Sequence, residues 1–385
     1  MKILYALNSA QRGGMENHTL DLAEGMHNRG HEVHVWCPEG PLVEEFDKIG
    51  ISVVLMEIKP SLIGLDVDLP YIIAQKKFLK DKKIDVLHCH GLRAVGSSLI
   101  AGFLAKTPIR ISHIHTPFSE WRVPGWKRWL YSFSYSLATT LFSTREIALT
   151  PSRKEVKIRE GIKERKLEVI PNGLRVEDFT FTNSQKASYR DEILTRHALP
   201  AETFVFGVIG RLSAEKGTDV LIDAYAKFLE YGVDDATHLL IIGGGPLLDE
   251  LNEKIKRLSL EDRITITGRY SEEDKFKYLA ALDTFTFPSL AEGFGIVLIE
   301  AMAAGLPIIA SDLEVLQEVG GSMVWFFETG NSDDLAEKMY NMFSKRDRLI
   351  NLSEGAKKRV SDLYTLERFV ASYEKLYLDL LEGTK

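Results

Sequence analysis

Residues 284–305 restrict the fold more than any other stretch of this chain. Residues 284–288 are an apolar run that reads as a buried strand. A glycine-punctuated turn follows, and a helix begins near Phe294 or Gly295 with apolar residues on most faces. The first turn of such a helix carries N–H groups without intrahelical partners and the positive end of the peptide dipole, which together suit an anion. Two carboxylates flank this end, Glu292 in the loop and Glu300 more than one turn into the helix.

The same strand–loop–helix alternation runs through the chain. Strand-like runs fall at 3–7, 31–36, 53–56, 84–89, 109–114, 147–149 and 167–170, with helical stretches around 20–26, 71–80, 94–105 and 126–142. Turn chemistry at 171–173 and a polar stretch at 175–187 mark the expected linker. A short helix at 189–197 precedes a second series of strands at 204–209, 237–242, 264–267, 284–287, 307–310 and 323–326. Beyond Ser332 the chain reads as helical, ending in an amphipathic segment at 366–381. Alternating strands and helices mean doubly wound parallel sheets. The expected class is α/β, with two Rossmann-like domains facing a central cleft, and ligands in such sheets bind beyond the carboxyl ends of strands.

Bulk properties narrow the function classes. A chain of 385 residues with a net charge of −7 lacks the basic footprint of a general nucleic-acid binder. Two cysteines, Cys37 and Cys89, make no disulfide framework. The apolar run before Asn8 is too short for a signal peptide, and no apolar run approaches the roughly 18 residues of a membrane span. The expected location is cytoplasmic.

Several loops carry chemistry. Gly13–Gly14 lies between a strand and a helix, and is either a plain tight turn or a place where backbone approaches a ligand; the full Gly-x-Gly-x-x-Gly pattern is absent. Arg211 and Lys216, five residues apart after the strand at 204–209, offer a fork-shaped donor and a compact cation, as a diphosphate requires. Gly243–Gly244–Gly245–Pro246 lies between another strand and helix and is read equally well as a ligand loop or as packing glycines. Glu292 and Glu300 suit adjacent hydroxyls of a sugar or ribose. His88–Cys89–His90 alternate faces on a strand, so only His88 and His90 share one, and no metal site is expected.

The order of these blocks resembles the retaining family-4 glycosyltransferases. The stretch from Glu292–Gly293–Phe294–Gly295 to Glu300–Ala301–Met302 matches that family's glutamate-seven residues-glutamate motif. Gly13–Gly14–Met15–Glu16, Arg29–Gly30–His31–Glu32–Val33, Pro171–Asn172–Gly173, Gly210–Arg211 with Lys216–Gly217, and Gly243–Gly244–Gly245–Pro246 follow the family order. The resemblance covers about residues 2–320. It implies a GT-B architecture with domains at 1–180 (acceptor side) and 181–363 (donor side), and a final helix at 364–385 crossing back to the first. It also implies donor contacts from Gly14, Arg211, Lys216, Gly245, Phe294, Gly295, Ile296, Val297 and Glu300, with Arg211 and Lys216 on the diphosphate and Glu300 on the ribose. His115 and Glu292 would act at the transferred sugar. Gly244 stands where the family often has an acidic residue, and Leu174–Arg175 where an aspartate often follows the Asn-Gly turn.

The implied reaction moves a hexose from a UDP- or GDP-sugar with retention at the anomeric carbon, using no cofactor and no metal, and no nucleic acid takes part. Glu16, His90, His113 and Trp121 are assigned to the acceptor side. Residues 118–135 mix tryptophans, other aromatics and cations, which fits a membrane interface, an acceptor pocket, or a helix packed on the sheet. From this stretch a glycan or lipid-linked acceptor is expected, with peripheral contact at the cytoplasmic face of a membrane and a role in cell-surface polysaccharide or glycolipid synthesis. The alternatives are a nucleotide-sugar epimerase of the same architecture and a non-catalytic nucleotide-sugar-binding protein.

Overall fold

The structure is a computed structural model that describes residues 1–11, 13–57, 67–115, 124–233, 236–345 and 350–383. It divides into two compact units, residues 1–173 with 366–385, and residues 174–365.

The first unit begins β1 (Lys2–Leu7), α1 (Gly14–Asn28), β2 (Glu32–Cys37), α2 (Leu42–Lys48) and β3 (Ser52–Leu55). It continues α3 (Leu69–Lys82), β4 (Val86–His90), α4 (Leu92–Ala105), β5 (Ile109–His113) and α5 (Gly125–Phe142). Then come β6 (Arg145–Ala148), α6 (Pro151–Arg159) and β7 (Leu167–Val169). The second unit opens with α7 (Asn183–Arg196), β8 (Phe204–Ile209), α8 (Thr218–Leu229), β9 (Thr237–Ile242) and α9 (Leu248–Arg257). It proceeds through β10 (Ile264–Gly268), α10 (Glu272–Ala281), β11 (Thr284–Phe287), α11 (Ile296–Ala303) and β12 (Ile308–Ser311). It closes with α12 (Glu314–Gly320), β13 (Trp325–Phe327), α13 (Ser332–Ser344) and α14 (Ile350–Leu363), after which α15 (Leu366–Glu382) rejoins the first unit.

The first sheet has the order β3-β2-β1-β4-β5-β6-β7 and the second β10-β9-β8-β11-β12-β13, with parallel pairing in both. This is the doubly wound α/β arrangement that the alternation implies. Parallel sheets are covered on both faces, so their strands read as continuous apolar runs. β1 illustrates the rule: Ile3, Tyr5 and Leu7 enter a core with α1, while Leu4 and Ala6 enter the opposite core with Leu99 and Tyr135.

The last helix is fixed to the first unit by both packing and charge. Phe369, Val370, Tyr373 and Tyr377 join the core on the β1 side. Gly25 of α1 permits this approach, since a Cβ there would lie 2.3 Å from Val370 Cγ2. The Arg29 guanidinium pairs with Glu367 and Glu374, and His31 Nε2 lies 2.7 Å from Glu374 Oε1.

Three differences from the sequence expectations have local causes. The second unit begins at Leu174 rather than 181, because Leu174 donates its N–H to the Tyr364 carbonyl at 2.9 Å and Phe179 packs edge-on to Phe276. The polar stretch at 175–187 therefore belongs to a folded unit and is no free linker. α7 starts six residues before the expected 189, where a Thr182–Gln185 capping box satisfies its first N–H groups. α2 has only seven residues, too few for a clear helical period.

Candidate active site

Where strand order reverses in a parallel sheet, a crevice opens at the carboxyl ends of the two strands beside the reversal. In the second unit those strands are β8 and β11. Gly210 and Arg211 leave β8, and Ser289 to Glu292 lie just beyond β11. The Leu290 N–H donates to the Glu215 carbonyl at 2.8 Å and ties the two loops together. Gly217 lies between them at φ +61°, and a Cβ there would sit 2.1 Å from the Pro288 carbonyl oxygen. Only glycine allows that closure. Gly210, Arg211, Lys216, Phe287 and Ser289 line one pocket.

The Lys216 ammonium pairs directly with Glu292 Oε1, and Ser289 Oγ donates to the same oxygen at 3.1 Å. The residues expected on the diphosphate and on the sugar, Lys216 and Glu292, are thus partners of each other, and Arg211 is exposed. α11 begins at Ile296, two residues after the earliest expected start, and Gly295 precedes it at φ +89° with no side-chain cap. Leu298 and Ile299 donate to the Gly295 carbonyl, which puts Ile296 and Val297 at the uncapped end. Phe294 is buried, its ring edge-on to Tyr364 at 5.7 Å. Gly245 has a packing role, since a Cβ there would meet the Leu212 carbonyl oxygen at 2.3 Å.

Glu300, on α11, is only 6% exposed and takes a hydrogen bond from Lys275 Nζ at 2.8 Å on Oε1. Its Oε2 is buried without a hydrogen-bond partner. Burial raises the Glu300 carboxyl above its ordinary range, and Lys275 counteracts this only in part. Burial disfavours the Lys275 charge, but Glu300 and Glu272 outweigh it and hold the ammonium above the usual lysine range. Nothing in the sequence singled out Lys275. Its place on the buried side of α10 is a helical-period signal, but the partner lies 25 residues on.

The first unit has its own reversal, between β1 and β4. β1 leads to the glycine loop and α1, with Gly14 as the first helical residue and Glu16 buried in the first turn. β4 ends at His90, and His113 and His115 stand at the end of β5 and just beyond it. The His113 and His115 rings stack at 4.0 Å, as their shared strand face implies. His88 and His90 stack at 4.2 Å. His18 of α1 stands edge-on to His113 and His115 at 5.0 and 4.9 Å. His18 lies on the buried stripe of α1 with Thr19, Leu22 and Met26, the pattern that would have exposed it. Burial pushes all five imidazoles down, His18 to about 4. Lys157 donates to the Ile114 carbonyl at 3.0 Å and pairs with buried Glu146, fixing the backbone just before His115. Trp121 lies outside the described residues.

Residues 190–359 match the family described as Glycosyl transferases group 1, and residues 12–178 match Glycosyltransferase Family 4. Together these matches take in both sites just described. The chain belongs to the family-4 glycosyltransferases of GT-B fold.

Relatives of this glycosyltransferase align over most of its length. It is 26% identical to the UDP-Gal:alpha-D-GlcNAc-diphosphoundecaprenol alpha-1,3-galactosyltransferase of Escherichia coli, covering 96% of this chain and 94% of that protein. It is 28% identical to the phosphatidyl-myo-inositol mannosyltransferase of Mycobacterium leprae, covering 85% and 83%. Among solved structures, Anabaena HepE in complex with UDP and glucose superposes with a TM-score of 0.85 at 22% identity, covering 98% of this chain and 100% of that one. WaaG, a glycosyltransferase involved in lipopolysaccharide biosynthesis, gives a TM-score of 0.72 at 17% identity, covering 97% and 98%. At such identities the structures attest the fold.

Proposed function

We propose that this glycosyltransferase moves a hexose from a UDP-linked donor, with retention at the anomeric carbon, to a lipid-linked glycan acceptor. The observation that carries the reading is the Glu300 carboxylate, buried with Oε2 unpartnered and held by Lys275 near the reversal of the second sheet. An unsatisfied buried acceptor is costly, and a ribose hydroxyl would satisfy it. The UDP named with the HepE structure and the UDP-Gal of the Escherichia coli relative favour uridine.

The Lys216–Glu292 pair gives this reading a mechanism. An incoming diphosphate draws the ammonium away, and the freed Glu292 carboxylate accepts from a sugar hydroxyl. Arg211, Lys216 and the uncapped end of α11 then stabilise the charge that grows on the leaving diphosphate. The bond from the anomeric carbon to the phosphate oxygen breaks while the acceptor oxygen bonds on the same face. The acceptor proton passes to the leaving phosphate. With these cations at the leaving group, the reading includes no metal requirement. His115 is assigned to the sugar, and Glu16, His90 and His113 to the acceptor side.

The proposal places the acceptor at an anionic membrane surface on the cytoplasmic face. Trp126, Trp129, Phe133, Leu137 and Leu141 are all exposed along α5, the two tryptophans at 65% and 66%, while Tyr135, Ala138 and Thr139 face inward. Lys127 and Arg128 flank this stripe, so its charge complements anionic headgroups. Among the described residues no helix is long and apolar enough to cross a membrane.

A thermal-shift panel of nucleoside diphosphates and their sugars tests the donor. Binding to the folded state adds about 2.7 kcal/mol at 100 times Kd. UDP and one UDP-hexose are expected to raise Tm most. A larger shift with GDP, or no shift with any nucleotide, would remove the uridine assignment.

A further inference from the structure

We infer that Lys157, in the last turn of α6, is a positioning residue that places His115 for the transferred sugar. The inference rests on the reading of His115 at that sugar. Of the five clustered imidazoles, His18, His88, His90 and His113 are buried, while His115 is partly open to a ligand. Strand pairing stops short of it. β4 pairs with β5 up to His113, and β6 pairs with β5 only up to Ser112. Beyond His113 no ladder bond holds the chain that carries His115.

Lys157 supplies the missing restraint. Its Nζ donates to the Ile114 carbonyl at 3.0 Å and to the Ile147 carbonyl at 2.8 Å, bridging the chain just past β5 to β6, and it pairs with Glu146 Oε1. An ammonium has three N–H donors, and all three are used. Glu146 is equally committed, since its Oε2 accepts from the Tyr135 hydroxyl of α5 at 2.6 Å. The Lys157 and Glu146 side chains are 4% and 0% exposed. Apolar residues of similar volume often stabilise such a place as well as an ion pair does, so stability alone gives little reason for one. What they cannot provide is a donor for the Ile114 carbonyl.

The His115 ring is oriented separately. It stacks on His113 at 4.0 Å, and its Nε2 lies 3.4 Å from His90 Nδ1. These contacts set the direction of the ring, and Lys157 sets the main chain from which it projects. A displacement of about 1 Å at a reacting centre can cost about 100-fold in rate.

The test replaces both charges together, Lys157→Met with Glu146→Gln, which leaves Tyr135 an acceptor and strands no buried charge. NMR of isotope-labelled histidine rings in the full chain reads the placement, using the signal that His115→Ala removes. The double variant should move that signal and leave the signal of His238, in the second unit, in place. With UDP-galactose and UDP-glucose as donors, its kcat for UDP release should fall about 10- to 100-fold, while the Kd for UDP stays unchanged. In a His115→Ala background the same replacement should cost nothing further, because Lys157 acts through His115. Arg159→Ala, exposed on the same helix, should change neither readout. An unmoved His115 signal, or a loss of kcat that multiplies with that of His115→Ala, would overturn the positioning role alone. Full turnover in His115→Ala would overturn the reading of His115 at the sugar, and this role with it. If the double variant fails to fold, Tyr135→Phe decides: it loosens Glu146 with both charges kept, and an unmoved His115 signal there overturns the role equally.

Discussion

Replacing Lys275 by methionine keeps most of its packing volume and removes the charge beside Glu300. Glu300 is 6% exposed, and its Oε1 would lose the partner now at 2.8 Å. A buried carboxylate in that position either stays charged without compensation or takes up a proton. Removing one member of a buried pair typically costs about 3–5 kcal/mol. Protonation sets a ceiling on the loss. From an ordinary carboxyl value of 4.5, neutralising Glu300 at a pH of about 7.5 costs about 4 kcal/mol, at 1.36 kcal/mol per pH unit. The expected loss in Lys275→Met is therefore about 3–4 kcal/mol near that pH, shrinking to roughly 1.4 kcal/mol two pH units lower. The sign follows from proton binding. The folded variant holds a proton that the unfolded chain releases, so its stability falls as pH rises. Urea unfolding, with hydrogen exchange of the β11 amides to isolate the second unit, measures it. Adding Glu300→Gln should recover most of the loss, because the buried group is then neutral at every pH. A loss below about 0.5 kcal/mol, a flat pH profile, or no recovery in the double variant would refute the pairing as the source of stability.

Lys216→Ala should weaken UDP binding about 10- to 100-fold in calorimetry, the equivalent of a charge-assisted hydrogen bond; unchanged affinity would contradict its place on the diphosphate. Glu292→Gln should keep UDP binding while lowering turnover with the UDP-sugar, and full turnover would remove Glu292 from the sugar. Trp129→Glu should reduce flotation with anionic vesicles at low salt without changing Tm, and undiminished flotation would exclude the α5 stripe as the contact. The first unit should lose stability as pH falls below about 6.5. His18 binds its proton only near 4 when folded, so its share of the loss reaches about 3 kcal/mol at pH 4. Hydrogen exchange of β1 and β4 amides between pH 7 and 5 measures this, and equal protection at both would show that the rings charge without unfolding.

Much of the candidate site of the second unit was legible because its residues are local to strand ends. Arg211 follows β8, Glu292 follows β11, and Glu300 sits on the helix behind it, so spacing alone announced a loop that handles anions. The contacts among them were not local. The family resemblance set Lys216 and Glu292 on different parts of one ligand, whereas the folded loops place them in one ion pair. The histidines of the first unit show the same divide. Their two-residue period put His88 with His90 and His113 with His115, and the rings do stack in those pairs.

The sequence by itself determined the class of fold, since the strand and helix periods and the doubly buried strands admit little besides two doubly wound sheets. It also determined which loops carry cations and acids. Only the tertiary structure decided that Lys275 holds Glu300, that Lys157 holds the backbone before His115, and that His18 joins the strand histidines. The reason is physical: periodicity records which face of an element is apolar, but not which distant element covers it. Sheet order makes that choice, setting β4 beside β1 and β11 beside β8 across long stretches of intervening chain.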